Sequence, residues 1–120
     1  MPARLRPASP AEVAEALAAA PCTEEQTRLL VKHFLALLEA RAPGRSVEVR
    51  VPPYAAVQAV PGVRHTRGTP PAVVETDART WLALATGSIT WVEAELAGRL
   101  RASGERADLT PYLPLIEDAR

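Results

Sequence analysis

Hydrophobic and polar positions from residue 72 to residue 87 follow the pattern of a strand and then a helix. Ala72–Glu75 is a short run rich in β-branched residues, which predicts a strand. Thr76-Asp77 provides side-chain oxygens that can cap the first amides of a helix, and Gly87 allows the left-handed residue that ends one. The predicted helix places four apolar residues on one face: Ala78, Trp81, Leu82 and Ala85.

The residues that follow have the pattern of a second helix and then a second strand. Thr90 and Glu93 have the spacing of a capping box, which predicts a short helix over Trp91–Ala97. Gly98 ends that helix, and the alternation of polar and apolar residues in Arg99–Ser103 predicts a half-exposed strand. The region is therefore expected to form one strand–helix–helix–strand unit.

The N-terminal third is predicted to be helical after a loose arm over residues 1–8. Ser9, with Pro10 and Glu12 after it, predicts a helix running to about Ala20. Thr23 begins a second helix, up to the break at Pro43-Gly44. Its broad apolar face is expected to belong to the core and contains Leu30, Val31, Phe34, Leu35, Leu37 and Leu38.

Three further strands are predicted between the helical third and the strand at Ala72. Ser46–Val51 alternates valine with polar residues, as in a strand with one wet face. Tyr54–Val60 and Val63–Arg67 flank the turn Pro61-Gly62 and predict a hairpin. Near the C-terminus, Asp108 is expected to cap a turn, and the apolar tail 113–116 is expected to dock on the body.

Composition limits the possible classes of protein. A chain of 120 residues has room for a single core, and 14 basic against 14 acidic residues give no net field toward nucleic acid or an anionic membrane. The single cysteine excludes an internal disulfide, and no apolar run reaches the ~20 residues that span a bilayer. With no signal-peptide pattern at the start, we expect a cytoplasmic protein.

The second half of the chain resembles the sterol carrier protein type 2 family, in particular its small stand-alone bacterial members. The similarity covers Val73–Leu115 and extends to the segment Arg50–Thr76. It is carried by Thr76-Asp77, Thr80-Trp81, Ala85-Thr86-Gly87, Gly98-Arg99-Leu100 and Ser103-Gly104-Glu105.

The resemblance implies an α/β (α+β) fold with a five-stranded, mostly antiparallel sheet covered by helices. It also implies an apolar tunnel between sheet and helices that takes up lipid-like molecules. We accordingly expect one domain over residues 1–120, with N-terminal helices over 9–41 as a lead-in and the sheet and covering helices over 46–115.

Small residues in the second strand raise the question of what fills the space above them. Ala55, Ala56 and Ala59 are poor strand formers where bulky residues would normally fill the layer. Protein interiors contain few voids, so a close helix, a tryptophan ring or a bound apolar molecule must take up that volume. The first two explanations are purely structural. If a cavity exists, Val57, Ala59, Trp81 and Trp91 are expected to line it. Leu84, Leu96, Leu113 and Leu115 are expected to be core residues, and the family resemblance implies that they also line the cavity.

A polar cluster on the predicted hairpin is a candidate site for the head of an amphiphile. Arg64, His65 and Arg67 offer donors that suit a carboxylate or a phosphate, although a short charged run is more often solvated surface. An anionic head here and an apolar tail under the helices would suit a fatty acid better than a sterol.

Catalytic and metal-binding motifs are not found in the sequence. With two histidines and one cysteine, no zinc site and no other metal or cofactor is expected. Cys22 precedes a helix start that could activate its thiol, but a small packed residue is the simpler interpretation. Three hypotheses follow: a non-catalytic carrier of a lipid-like molecule, an accessory domain with a filled core, for which the family resemblance implies a partner such as a thiol-dependent isomerase, and a small enzyme using Cys22 or His65.

Overall fold

The structure, a computed structural model, describes residues 5–62, 72–104 and 107–116. Two helices precede the first two strands, and two further helices lie between the last two strands. The elements in chain order are α1 (Pro10–Ala18), α2 (Glu24–Arg41), β1 (Val47–Val51), β2 (Ala55–Ala59), β3 (Ala72–Thr76), α3 (Ala78–Thr86), α4 (Trp91–Leu96), β4 (Leu100–Ser103) and a 3-10 turn (Thr110–Tyr112).

The four α-helices begin where the sequence predicts. Ser9, Thr23, Asp77 and Thr90 are the N-caps, and each side chain accepts a hydrogen bond from the backbone N–H three residues on. These bonds satisfy amides that have no partner within the helix. The predicted strand–helix–helix–strand unit is confirmed, because β3 and β4 flank α3 and α4 and pair antiparallel with each other.

The described residues form a mixed sheet of four strands in the order β2-β1-β3-β4. β1 pairs antiparallel with β2 and parallel with β3. The α+β class and the mostly antiparallel sheet are confirmed, but four strands are found in the described residues where five were predicted. The fifth predicted strand, Val63–Arg67, lies outside the described residues.

One face of this sheet forms the floor of the core. Val47, Val49 and Val51 of β1 are fully buried, whereas Arg50 between them is exposed, as the alternating pattern predicts. α2 lies across β2 and also contacts α3, while α1 packs on α2. The apolar face of α2 is buried as predicted, except that Leu37 is only half-buried.

The junction between α2 and β2 is fixed by backbone contacts. The Val60 N–H donates to the carbonyl of Ala42, the C-cap of α2, and the Ser46 hydroxyl donates to the Val60 carbonyl at 2.7 Å. Gly44, at φ +155°, passes so close to Val60 and Pro61 that a Cβ would overlap their backbone atoms. The end of α2 is therefore held directly against the end of β2.

The first and the last described segments of the chain both pack against the helices. Leu5 packs against the core, and the Ala8 N–H donates to His33 Nδ1 at 3.0 Å. The predicted docking of the C-terminal tail is confirmed, because the Leu115 N–H donates to the Ala85 carbonyl at 2.8 Å. The predicted turn at Asp108 is also present, with its carboxylate accepting from the Thr110 N–H at 2.9 Å.

Candidate ligand-binding site

Most residues predicted to line a cavity between sheet and helices are buried in the core. Val57, Ala59, Trp81, Leu84, Trp91 and Leu115 are each at most 7% exposed, and Leu113 is half-buried. Leu96 is different: at 84% exposure it faces solvent, which corrects the expectation that it faces inward. The reason is helical geometry: Trp91 and Ala94 of α4 face the core, and Leu96, five residues after Trp91, lies about 140° around the helix from it. Burial alone does not distinguish a cavity wall from core packing for the others, so their role in binding stays a prediction.

Trp81 is held in place by a specific hydrogen bond as well as by packing. Its side chain is completely buried, and its indole N–H donates to the Val31 carbonyl of α2 at 3.3 Å. A buried indole needs such a partner, because an unpaired N–H in an apolar interior is costly. Trp81 thus fastens α3 to α2.

Trp91 has a different environment from Trp81. It is 6% exposed, and its indole N–H donates to no described residue. Every fully buried side-chain nitrogen or oxygen among the described residues has a hydrogen-bond partner. The Trp91 N–H must therefore reach solvent, so this ring lies at the margin of the core rather than at its centre.

The three alanines of β2 do not share one environment. Ala59 is fully buried, Ala55 is half-buried and Ala56 is exposed. α2 packs on β2, and its C-cap bonds to the end of this strand. Close approach of a helix, one of the two structural explanations, therefore accounts for the small side chain at Ala59.

The predicted headgroup cluster, Arg64, His65 and Arg67, lies outside the described residues. Its role stays a prediction. Cys22 is half-buried and packs against the core, and its thiol donates to the Ala16 carbonyl at 3.6 Å.

A groove of about 470 Å³ lies between α1, α2 and the C-terminal segment. Its walls are predominantly apolar and come from three parts of the chain, with α2 between the other two. The apolar side chains are Pro10, Val13, Ala14 and Leu17 of α1, Phe34 and Leu37 of α2, and Leu115 and Ile116. Of the residues predicted from sequence to line a cavity, Leu115 is the one that borders this groove.

Two polar side chains of α2 also line the groove. The Arg41 Nη1 donates to the carbonyls of Tyr112 and Pro114, at 3.1 and 2.8 Å, and so ties the C-terminal segment to the end of α2. His33 accepts the Ala8 N–H on Nδ1, so its neutral ring carries the proton on Nε2. Partial burial, which disfavours the charged form, lowers the pKa of His33 below its ordinary value.

Sequence reasoning missed this groove. Val13 and Leu17 are one turn apart on α1, and this spacing was a signal that α1 has an apolar face. The sequence did not indicate which surface α1 would face, because the opposite walls come from residues about 20 and 100 positions away along the chain.

Two features are absent from the described residues: a cluster of metal ligands and a membrane-spanning helix. No group of three or more His, Cys, Asp or Glu side chains is positioned to hold a metal ion there. No helix in the same ranges is long and apolar enough to cross a bilayer.

Comparison with known protein families gives a match that covers most of the chain. A family model described as "bacterial SCP ortholog" matches residues 23–115, which is most of the sequence. The chain therefore belongs to this bacterial family of sterol carrier protein orthologues. No curated protein matches it.

Proposed function

We propose that the protein is a non-catalytic carrier that binds an apolar or amphiphilic small molecule. The observation that carries this proposal is the open apolar groove of about 470 Å³. Its size falls in the range of roughly 300–1,000 Å³ that is usual for small-molecule sites. Membership of the bacterial family supports a carrier-like role.

The lipid-like ligand has two candidate locations. One is the groove beside α1, and the other is the predicted site between sheet and helices, around Val57, Ala59, Trp81, Leu84, Trp91, Leu113 and Leu115. Either location would remove alkyl surface from water, which favours binding by ~25 cal/mol per Å². The proposal includes one domain over residues 1–120, a fatty acid or related amphiphile as ligand, and the cytoplasmic location expected from the sequence.

The carrier function is tested by binding and by transfer. Purified protein is extracted with organic solvent for mass spectrometry of bound lipids, and delipidated protein is titrated with dansyl-undecanoic acid. A carrier should bind the probe, release it to unlabelled competitor and speed its movement from donor to acceptor vesicles. If no lipid is extracted and the probe does not bind, the carrier function is wrong.

A second candidate function is an accessory domain for a partner protein such as a thiol-dependent isomerase. The observation that favours it is a pair of exposed apolar residues on α4, Val92 at 58% and Leu96 at 84% exposure. They are one helical turn apart and so form a continuous apolar surface. This candidate predicts that the delipidated protein binds no acyl probe, whereas the carrier function requires binding.

A further inference from the structure

The groove beside α1 follows the margin of the core-facing surface of α2. His33, Leu37 and Arg41 are spaced four residues apart, so they form a stripe along one side of that helix. Val13 and Leu17 of α1 lie opposite this stripe. A residue rise of 1.5 Å makes the stripe roughly 12 Å long, which is an elongated shape suited to an alkyl chain.

The charge in this groove is one-sided. Arg41 is the cationic residue among its described walls, and those walls contain no aspartate or glutamate. The ion pairs found among the described residues involve Arg50 and not Arg41. A groove whose described walls are apolar and carry a cation but no acid favours a ligand that is apolar and negatively charged.

The hydrogen bonds of Arg41 leave part of its guanidinium available. A guanidinium has five N–H donors, and the two on Nη1 are directed to the carbonyls of Tyr112 and Pro114. These bonds hold the plane of the group in a fixed orientation. No described residue accepts a hydrogen bond from Nε or Nη2, and together these two donors match the two oxygens of a carboxylate.

We propose that the groove between α1, α2 and residues 115–116 binds a linear amphiphile with a single carboxylate, whose head is held by Arg41 and whose alkyl chain lies along Val13, Leu17 and Leu37. The proposal rests on the carrier function and specifies its ligand and its site. It places the anionic head at Arg41 and not at the predicted cluster of Arg64, His65 and Arg67. It also places the tail outside the layer between the sheet and the helices.

The charge assignment is tested with three probes that share one alkyl chain: dodecanoate, dodecanol and dodecyltrimethylammonium. Displacement of dansyl-undecanoic acid should show that the wild type prefers dodecanoate over dodecanol by about tenfold or more, with the cation binding weakest. Arg41→Gln should abolish the preference for dodecanoate while changing dodecanol binding little, and Arg41→Lys should retain part of it. Arg79→Gln, which removes an exposed charge on α3, is the matched control and should leave the preference unchanged.

The position of the alkyl chain is tested by filling the groove. Ala14 is exposed on α1 and borders the groove, so Ala14→Phe adds a ring there without entering the core. It should weaken dodecanoate and dodecanol alike by at least about tenfold, since several methylenes lose their contacts and each contributes about fourfold. Ala56→Phe, on the solvent-exposed face of β2 and absent from the groove walls, should leave both affinities unchanged.

The outcomes separate this proposal from the carrier function. If Arg41→Gln weakens dodecanol as much as dodecanoate, Arg41 only supports the C-terminal segment and its role as anion site is refuted. If the double variant Arg64→Gln/Arg67→Gln abolishes the preference instead, the head lies at the predicted cluster and the proposal is also refuted. Unchanged binding by Ala14→Phe would place the chain elsewhere, with the carrier function intact. If the wild type binds none of the three probes, the carrier function itself is refuted.

Discussion

Two tryptophans of similar burial make unequal contributions to stability. Trp81 donates from a fully buried indole to Val31, whereas the Trp91 N–H reaches solvent. Trp81→Phe removes the hydrogen bond and leaves a small cavity, so it should lower the free energy of unfolding by about 2–3 kcal/mol. Trp91→Phe should cost about 1 kcal/mol because it loses packing alone. Urea unfolding followed by far-UV circular dichroism measures both, and equal losses would contradict the assigned role of Trp81.

Gly44 and Gly98 have positive φ angles for different structural reasons. A Cβ at Gly44 would overlap backbone atoms of Val60 and Pro61, which side-chain rotation cannot relieve, whereas a Cβ at Gly98, at φ +69°, meets nothing within 4 Å. Gly44→Ala should therefore destabilise the fold by at least about 3 kcal/mol, by separating α2 from β2. Gly98→Ala should cost about 1–2 kcal/mol, the strain of a left-handed alanine. A thermal unfolding series compares the two, and a mild effect at Gly44 would mean that this junction adjusts.

At the scale of elements, the start of each helix was predictable but the neighbours of each strand were not. Caps such as Ser9 and Thr90 act within three residues, so the sequence contains all the information that they need. The parallel pairing of Val49 with Val74 joins β1 to a strand more than 20 residues away. Alternation shows which face of a strand is buried, but it does not identify the adjacent strand.

For the candidate site, too, local sequence patterns predicted which residues are buried but not which distant segments they meet. The inward position of Trp81 followed from helical periodicity, and the structure confirms it. The inward position of Leu96 was assumed from its apolar character and from the family analogy, and it was wrong, because Leu96 lies about 140° around α4 from the buried Trp91. The groove could not be predicted, since its walls depend on how α1 and the C-terminal segment pack on α2.

The capping box of α4 predicts a pH dependence of stability. The backbone N–H of Thr90 donates to the Glu93 carboxylate at 2.9 Å, and this bond lowers the pKa of Glu93. Because the folded-state pKa is below the unfolded value of about 4.3, this stabilisation is fully present above that pH and is lost as the pH falls through the folded pKa. Glu93→Gln keeps the amide acceptor without the charge, so stability of this variant should fall less steeply below about pH 4. Urea midpoints at several pH values test this, with Glu95→Gln, outside the capping box, as control; identical acid slopes would contradict it.

For the whole molecule, α1 is peripheral to the core but central to the proposed binding. The sheet, α2 and α3 supply most of the buried apolar residues, and α1 supplies Ala16. The family match likewise begins at residue 23, after α1 has ended. Folding and ligand binding should therefore be separable by removing this helix.

A chain lacking residues 1–20 should fold with a single cooperative transition, at a loss of about 2 kcal/mol for the apolar surface that α1 covers. It should also lose most of its affinity for dansyl-undecanoic acid, because Val13, Ala14 and Leu17 form one wall of the groove. A chain lacking residues 1–4 is the control and should match the full chain in both measurements. Tryptophan fluorescence in urea reports the folding of Trp81 and Trp91, and probe titration reports the groove. Undiminished probe binding without α1 would instead favour a ligand between sheet and helices, where Trp81 and Leu84 are buried.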